Sequence, residues 1–121
     1  MGKNRVKIKD NVGIEYNGRI YPLVFNLNVM EEIQEKYETI DHWGDLTDGS
    51  KHELDAKALK FGLTCMLNEG VDMWNEEHAD DKRDFFTEKQ VGRIITELGL
   101  QEVAGKVNNT VIEASKSDEK N

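Results

Sequence analysis

The hydrophobic period of this chain changes once. Up to about residue 26 apolar side chains alternate with polar ones, and beyond it they recur every three or four residues. A period of two belongs to a half-buried strand and a period near 3.6 to a helix. The switch confines the chain to an α+β fold: an amino-terminal antiparallel β-hairpin packed on a bundle of about four or five α-helices. Asn17-Gly18 sits between the two β-rich runs, and a two-residue hairpin loop needs positive φ at both positions, which Asn-Gly supplies. That turn pairs Tyr16 with Arg19, Ile14 with Tyr21 and Val12 with Leu23. Val12, Ile14, Tyr16, Tyr21, Leu23 and Phe25 then share one face, with Glu15 pointing away. Pro22 marks an edge strand. Val6 and Ile8 predict a third strand, whose Lys3, Arg5, Lys7 and Lys9 read as a lysine-protected edge or as a short basic arm for an acidic partner.

The helical part divides by its caps. Leu27, Met30, Ile33 and Tyr37 form one face, with Val29 and Ile40 beside it and Asn26 or Asn28 as cap. A short link containing Trp43, Gly44, Leu46 and Gly49 follows. Ser50 and Glu53 have capping-box spacing and open a central helix, around Lys51 to Glu69 and closed near Gly70. Its polar residues Lys57, Lys60, Thr64 and Asn68 make one narrow stripe, so it should be the most buried helix, with Cys65 a core residue. Residues 71–86 interleave carboxylates with Met73, Trp74, Phe85 and Phe86 and predict a helical turn and a mobile acidic loop. Thr87 and Gln90 form a second capping-box spacing, with Val91, Ile94, Ile95 and Leu98 on one face and Gly99 as the stop. Leu100, Val103, Ala104, Val107, Val111 and Ala114 make the stripe of a last helix. One domain thus covers 1–114, and 115–121 reads as a disordered polar tail.

Composition narrows the functions. Net charge is −8 and the pI about 4.9, which disfavours nucleic acid and anionic membrane as partners. The single cysteine forbids an internal disulfide, no leader opens the chain, and no run approaches a spanning helix, so a cytoplasmic protein is expected. His42, His52 and His78 are not spaced as a zinc pair, and Asp80, Asp81 and Asp84 do not match a calcium loop. Phosphate-loop and serine-elbow patterns are missing. The reading is therefore a binding protein with no catalytic, cofactor or metal site. Trp43, Met73, Trp74, Phe85 and Phe86 fall off the periodic faces and are the candidate partner-binding residues, with ordinary core capping as the alternative.

The run GIEYNGRIYPLVFNLNVMEEIQEKYETIDHW resembles the opening of the tail assembly chaperones of long-tailed bacteriophages and their prophage relatives. The matching residues are Asn17, Gly18, Tyr21, Leu23, Phe25, Leu27, Met30, Ile33, Glu35 and Tyr37. ALKFGLTCMLNEG and FTEKQVGRII resemble later segments of that family, so the likeness covers roughly 12–114. The acidic stretch before Phe85 has no counterpart in the pattern. The resemblance implies a chaperone that keeps the helical tape measure protein soluble while tail tube subunits assemble around it. It would act in the host bacterial cytoplasm and be absent from the mature virion. Apolar surface kept for a client can also pair with itself, so homo-oligomers are expected as well. The alternative is a small structural phage protein, a tail or head–tail connector component retained in the particle. Such chaperones are often made in two forms by ribosomal slippage, and Glu119-Lys120-Asn121 can be encoded by a slippery heptamer.

Overall fold

A computed structural model of the chain describes residues 5–9, 13–50 and 53–119. It is α+β. Strands β1 (Val6–Lys9), β2 (Gly13–Tyr16) and β3 (Arg19–Tyr21) form an antiparallel sheet in the order β1-β2-β3. The register follows from the turn: Ile14 faces Tyr21 and Tyr16 faces Arg19. Asn17 and Gly18 have φ of 51° and 83°, the positive pair that matches a two-residue loop to strand twist. Val6, Ile14 and Tyr21 are buried, and Tyr16, Leu23 and Phe25 pack against the core from its margin. Val12 and Lys3 lie outside the described residues. β1 is an outer strand with Lys7 exposed and Lys9 paired to Glu15 at 3.3 Å.

α1 (Leu27–Tyr37) starts at Asn26, whose side chain accepts from the Val29 amide. Val29 and Ile33 turn inward, whereas Leu27, placed by periodicity on the same face, is 65% exposed in the first turn. Ile40, expected beside the face of the first helix, and Trp43, Gly44 and Leu46, expected in a link, form instead a short helix, α2 (Ile40–Leu46), capped by Thr39. Seven residues with one core side chain carry no detectable period, so α2 was hidden.

α3 (Ala56–Glu77) is the centre of the molecule and has more buried residues than any other element. Its cap is Asp55, which accepts from Ala58 N–H at 3.0 Å. The Ser50–Glu53 spacing is thus not the helix start; the Ser50 hydroxyl instead bonds Asp48 at 2.6 Å. Nor does the helix close at Gly70. A Cβ there would lie 2.9 Å from the Pro22 carbonyl oxygen, so this glycine admits the chain leaving β3 rather than ending a helix. Val24 N–H reaches the Met66 carbonyl just beside it. α3 then runs to Glu77, two turns past the expected stop.

α4 (Glu88–Leu98) begins with the expected reciprocal box between Thr87 and Gln90 and ends at Gly99, φ 102°. α5 (Leu100–Glu119) buries Val103, Ala104 and Val107. It continues through Glu119, whereas a polar tail had been expected from Ser115. Lys116 pairs with Glu113 one turn back at 3.7 Å, a side-chain pair of the kind that supports a helix beyond its packed face. Among the described residues no helix is long and apolar enough to cross a membrane.

Candidate protein-docking site

α3 carries two asparagines two turns apart on one side, Asn68 and Asn75. Each uses its amide as a peptide bond would be used in a sheet. Asn68 donates to the Phe86 carbonyl at 2.9 Å and accepts from the Phe86 N–H at 2.7 Å. Asn75 donates to the Arg83 carbonyl at 3.0 Å and accepts from the Arg83 N–H at 2.7 Å. A side-chain amide can do both because it has one acceptor oxygen and two N–H donors. The segment expected as a mobile acidic loop is thereby fixed along α3 at two points, three residues apart.

Arg83 is held a second way. Its guanidinium carbon lies 3.8 Å from the Trp74 ring centre and 4.8 Å from that of Tyr21. One of its terminal N–H groups donates to the Ile20 carbonyl at 3.0 Å. Trp74 is also stacked on His78, with centroids 3.5 Å apart, and its indole N–H bonds the Asp81 carbonyl at 2.7 Å. Both polar and apolar parts of Trp74 are therefore engaged within the chain.

Phe86 turns into the core, edge-on to Tyr16 and Tyr21. Phe85, one residue earlier, points the other way and is 53% exposed. It lines two clefts. One, about 390 Å³, has Phe61, Cys65 and Phe85 as its apolar part and Glu32, Glu69, Asp72 and Glu88 as its acidic part. The other, about 470 Å³, joins Phe85 to Tyr16 and Tyr21 beside Arg19, Lys82 and Arg83, with Asp84 the one carboxylate.

Cys65 belongs to the floor of the first cleft and is buried. Burial first, then the charge of Glu32 and a thiol hydrogen bond to it, push its pKa from 9.0 up to about 12. A thiol whose folded value is raised adds stability that is fully present below pH 9.0 and lost as pH climbs toward about 12. Alkylation at pH 8 should accordingly be slow in the folded chain and fast in denaturant. Cys65→Ala should flatten the loss of stability above pH 9, followed by urea unfolding across that range; an unchanged slope would discount the thiol.

The five residues picked from sequence separate here. Trp43 is 2% exposed inside α2, with its indole N–H on the Ala58 carbonyl at 2.9 Å, and Phe86 is 7% exposed. Both pack in the core, and each meets a cleft only at its margin. Trp74 is a scaffold for Arg83. Met73 and Phe85 are exposed, but Met73 does not line either cleft beside Phe85. What sequence reasoning missed is the pair of asparagines. Their signal was available: Asn68 stands on the narrow polar stripe of a helix otherwise buried, where a polar side chain needs a partner. Among the described residues no three histidine, cysteine or carboxylate side chains are grouped to hold a metal. Comparison of the chain with protein-family models, with curated proteins and with solved structures gave no match.

Proposed function

We propose that this protein is a tail assembly chaperone of the long-tailed phage type, which binds the helical tape measure protein through an apolar ridge and keeps it soluble while tail tube subunits assemble. The observation that carries the reading is Phe85. A large aromatic side chain is kept in solvent by hydrogen bonds on both sides of it. An aromatic anchor fixed in advance loses little entropy on binding, as partner sites require. The residues that carry the family resemblance are compatible with this reading, since Asn17 and Gly18 make the hairpin turn and Ile33 enters the core. The net charge of −8 helps keep a client complex dispersed. On this reading the protein works in the host cytoplasm, is left out of the finished particle, and can pair with itself when no client is present.

Co-expression with a tape measure fragment from the same gene cluster tests the proposal. The fragment should stay soluble and co-purify with the chain. Phe85→Ala should weaken capture by about 1–4 kcal/mol with the circular dichroism spectrum unchanged, because the side chain is exposed. A fragment no more soluble with the chain than without it sinks the chaperone reading. Capture unaffected by Phe85→Ala removes this ridge from it.

A further inference from the structure

The two clefts that Phe85 lines have opposite charge. On one side Glu32 from α1, Glu69 and Asp72 from α3, and Glu88 from α4 stand over Phe61 and Phe85. None of the four is in an ion pair among the described residues. Among the described residues Glu69 accepts from the neutral amides of Asn26 and Asn28, at 2.8 and 3.1 Å. Lys36 lies beside this cleft, its ammonium 5.1 Å from the centre of the Phe61 ring. On the other side Arg19, Lys82 and Arg83 have Asp84 alone for counter-charge, and no ion pair with any of the three is present among the described residues. Arg83 is already oriented by Trp74, Tyr21 and the Ile20 carbonyl, and its Nε is buried without an acceptor. In a chain of net charge −8, cations left unneutralised beside an exposed aromatic make a complementary surface for something acidic.

We infer that the ridge docks one α-helix of segregated charge, an apolar stripe gripping Phe85, its basic half over Glu32, Glu69, Asp72 and Glu88 and its acidic half against Arg19, Lys82 and Arg83. The inference rests on the client-binding reading of the same ridge and names the chemistry of the client. A helix fits better than an added strand. The N–H and C=O of Arg83 and Phe86 are already taken by Asn75 and Asn68, so the exposed segment offers little free ladder, whereas a helix satisfies its own backbone. Side chains four residues apart on a helix stand about 5–6 Å apart, so one stripe can hold Phe85 while the next turns reach both clefts. All of these charges but the half-buried Glu69 and Arg83 are exposed, so they select and orient a partner more than they tighten its grip, and salt screens them.

Synthetic helical peptides of roughly 20 residues, about 30 Å long, provide the test, read by fluorescence anisotropy. Three share one Leu/Ala stripe: a split peptide with Lys/Arg in one half and Glu in the other, a mixed peptide of the same composition with charges alternating, and an all-Glu peptide. The split peptide should bind about tenfold more tightly than the mixed one at low salt, and the margin should vanish at high salt. Asp72→Asn/Glu88→Gln and Arg19→Gln/Lys82→Gln change exposed side chains, and each should erase the margin, while Phe85→Ala weakens split and mixed peptides alike. Equal binding of split and mixed peptides, tightest binding of the all-Glu peptide, or no binding of any peptide overturns the inference. If the tape measure fragment is still captured in that case, the chaperone reading survives alone. If the split peptide binds and the fragment is not captured, the inference stands and the chaperone reading falls.

Discussion

Trp43→Ala should cost about 3–5 kcal/mol of unfolding free energy, a large part of the roughly 5–15 kcal/mol that holds a domain of this size. The indole is the widest fully buried side chain, and it joins α2 to α3 in two ways. Its N–H caps the Ala58 carbonyl, and its six-membered ring lies on Gly62, where an added Cβ would collide with Trp43 Cζ2. Gly62→Ala is the reciprocal probe. In an open helix that change gains about 1 kcal/mol; here overpacking should reverse the sign and cost about 1–3 kcal/mol. Combining Gly62→Ala with Trp43→Phe should relieve most of the clash, so the two changes are not additive. Urea unfolding of the four proteins measures the cycle. Additive costs would mean that the indole and the glycine do not bear on each other.

Asn68→Ala should be the next most damaging single change outside the apolar core. It removes both partners of the Phe86 backbone, and an orphaned buried polar group costs about 1–3 kcal/mol. Asn75→Ala should cost less, because Arg83 is only half-buried and keeps its stacking on Trp74. Amide hydrogen exchange distinguishes the two clamps: Asn68→Ala should expose the Phe86 amide and Asn75→Ala the Arg83 amide, each leaving the other protected. Both should weaken client capture although neither removes Phe85, since a freed aromatic must be ordered again on binding. Retention of Phe86 protection in Asn68→Ala would show that the side chain is not what fixes the segment.

The parts of this fold that were legible in the sequence are those whose instructions are local. Asn17-Gly18 dictates its own backbone, so the register of β2 and β3 followed from counting outward. Thr87 and Gln90 satisfy each other three residues apart. The misread parts depend on distant neighbours. Gly70 is a helix stop by local rules and a contact notch for Pro22 in the folded chain. Ser50 and Glu53 have the right spacing for a cap, but Asp55 does that job. Residues 82–86 have no pattern of their own because the partners of Arg83 and Phe86 lie 8 and 18 residues away. The same holds for the candidate docking site. Phe85 could be noticed as an aromatic off the periodic faces, but Trp43 and Phe86 were indistinguishable from it until the packing of α2 and the clamp at Asn68 were known.

α5 has a mechanical consequence. It leaves α4 through the single residue Gly99, and its last side chain packed on the core is Val111. The helix then continues to Glu119, about 12 Å further at 1.5 Å per residue. Its last two turns therefore rest on their own backbone hydrogen bonds, and their amides should exchange ahead of those of the core-packed turns. A nitroxide placed at the exposed Lys116 should accordingly be more mobile than one on the turns that carry Val103 and Val107.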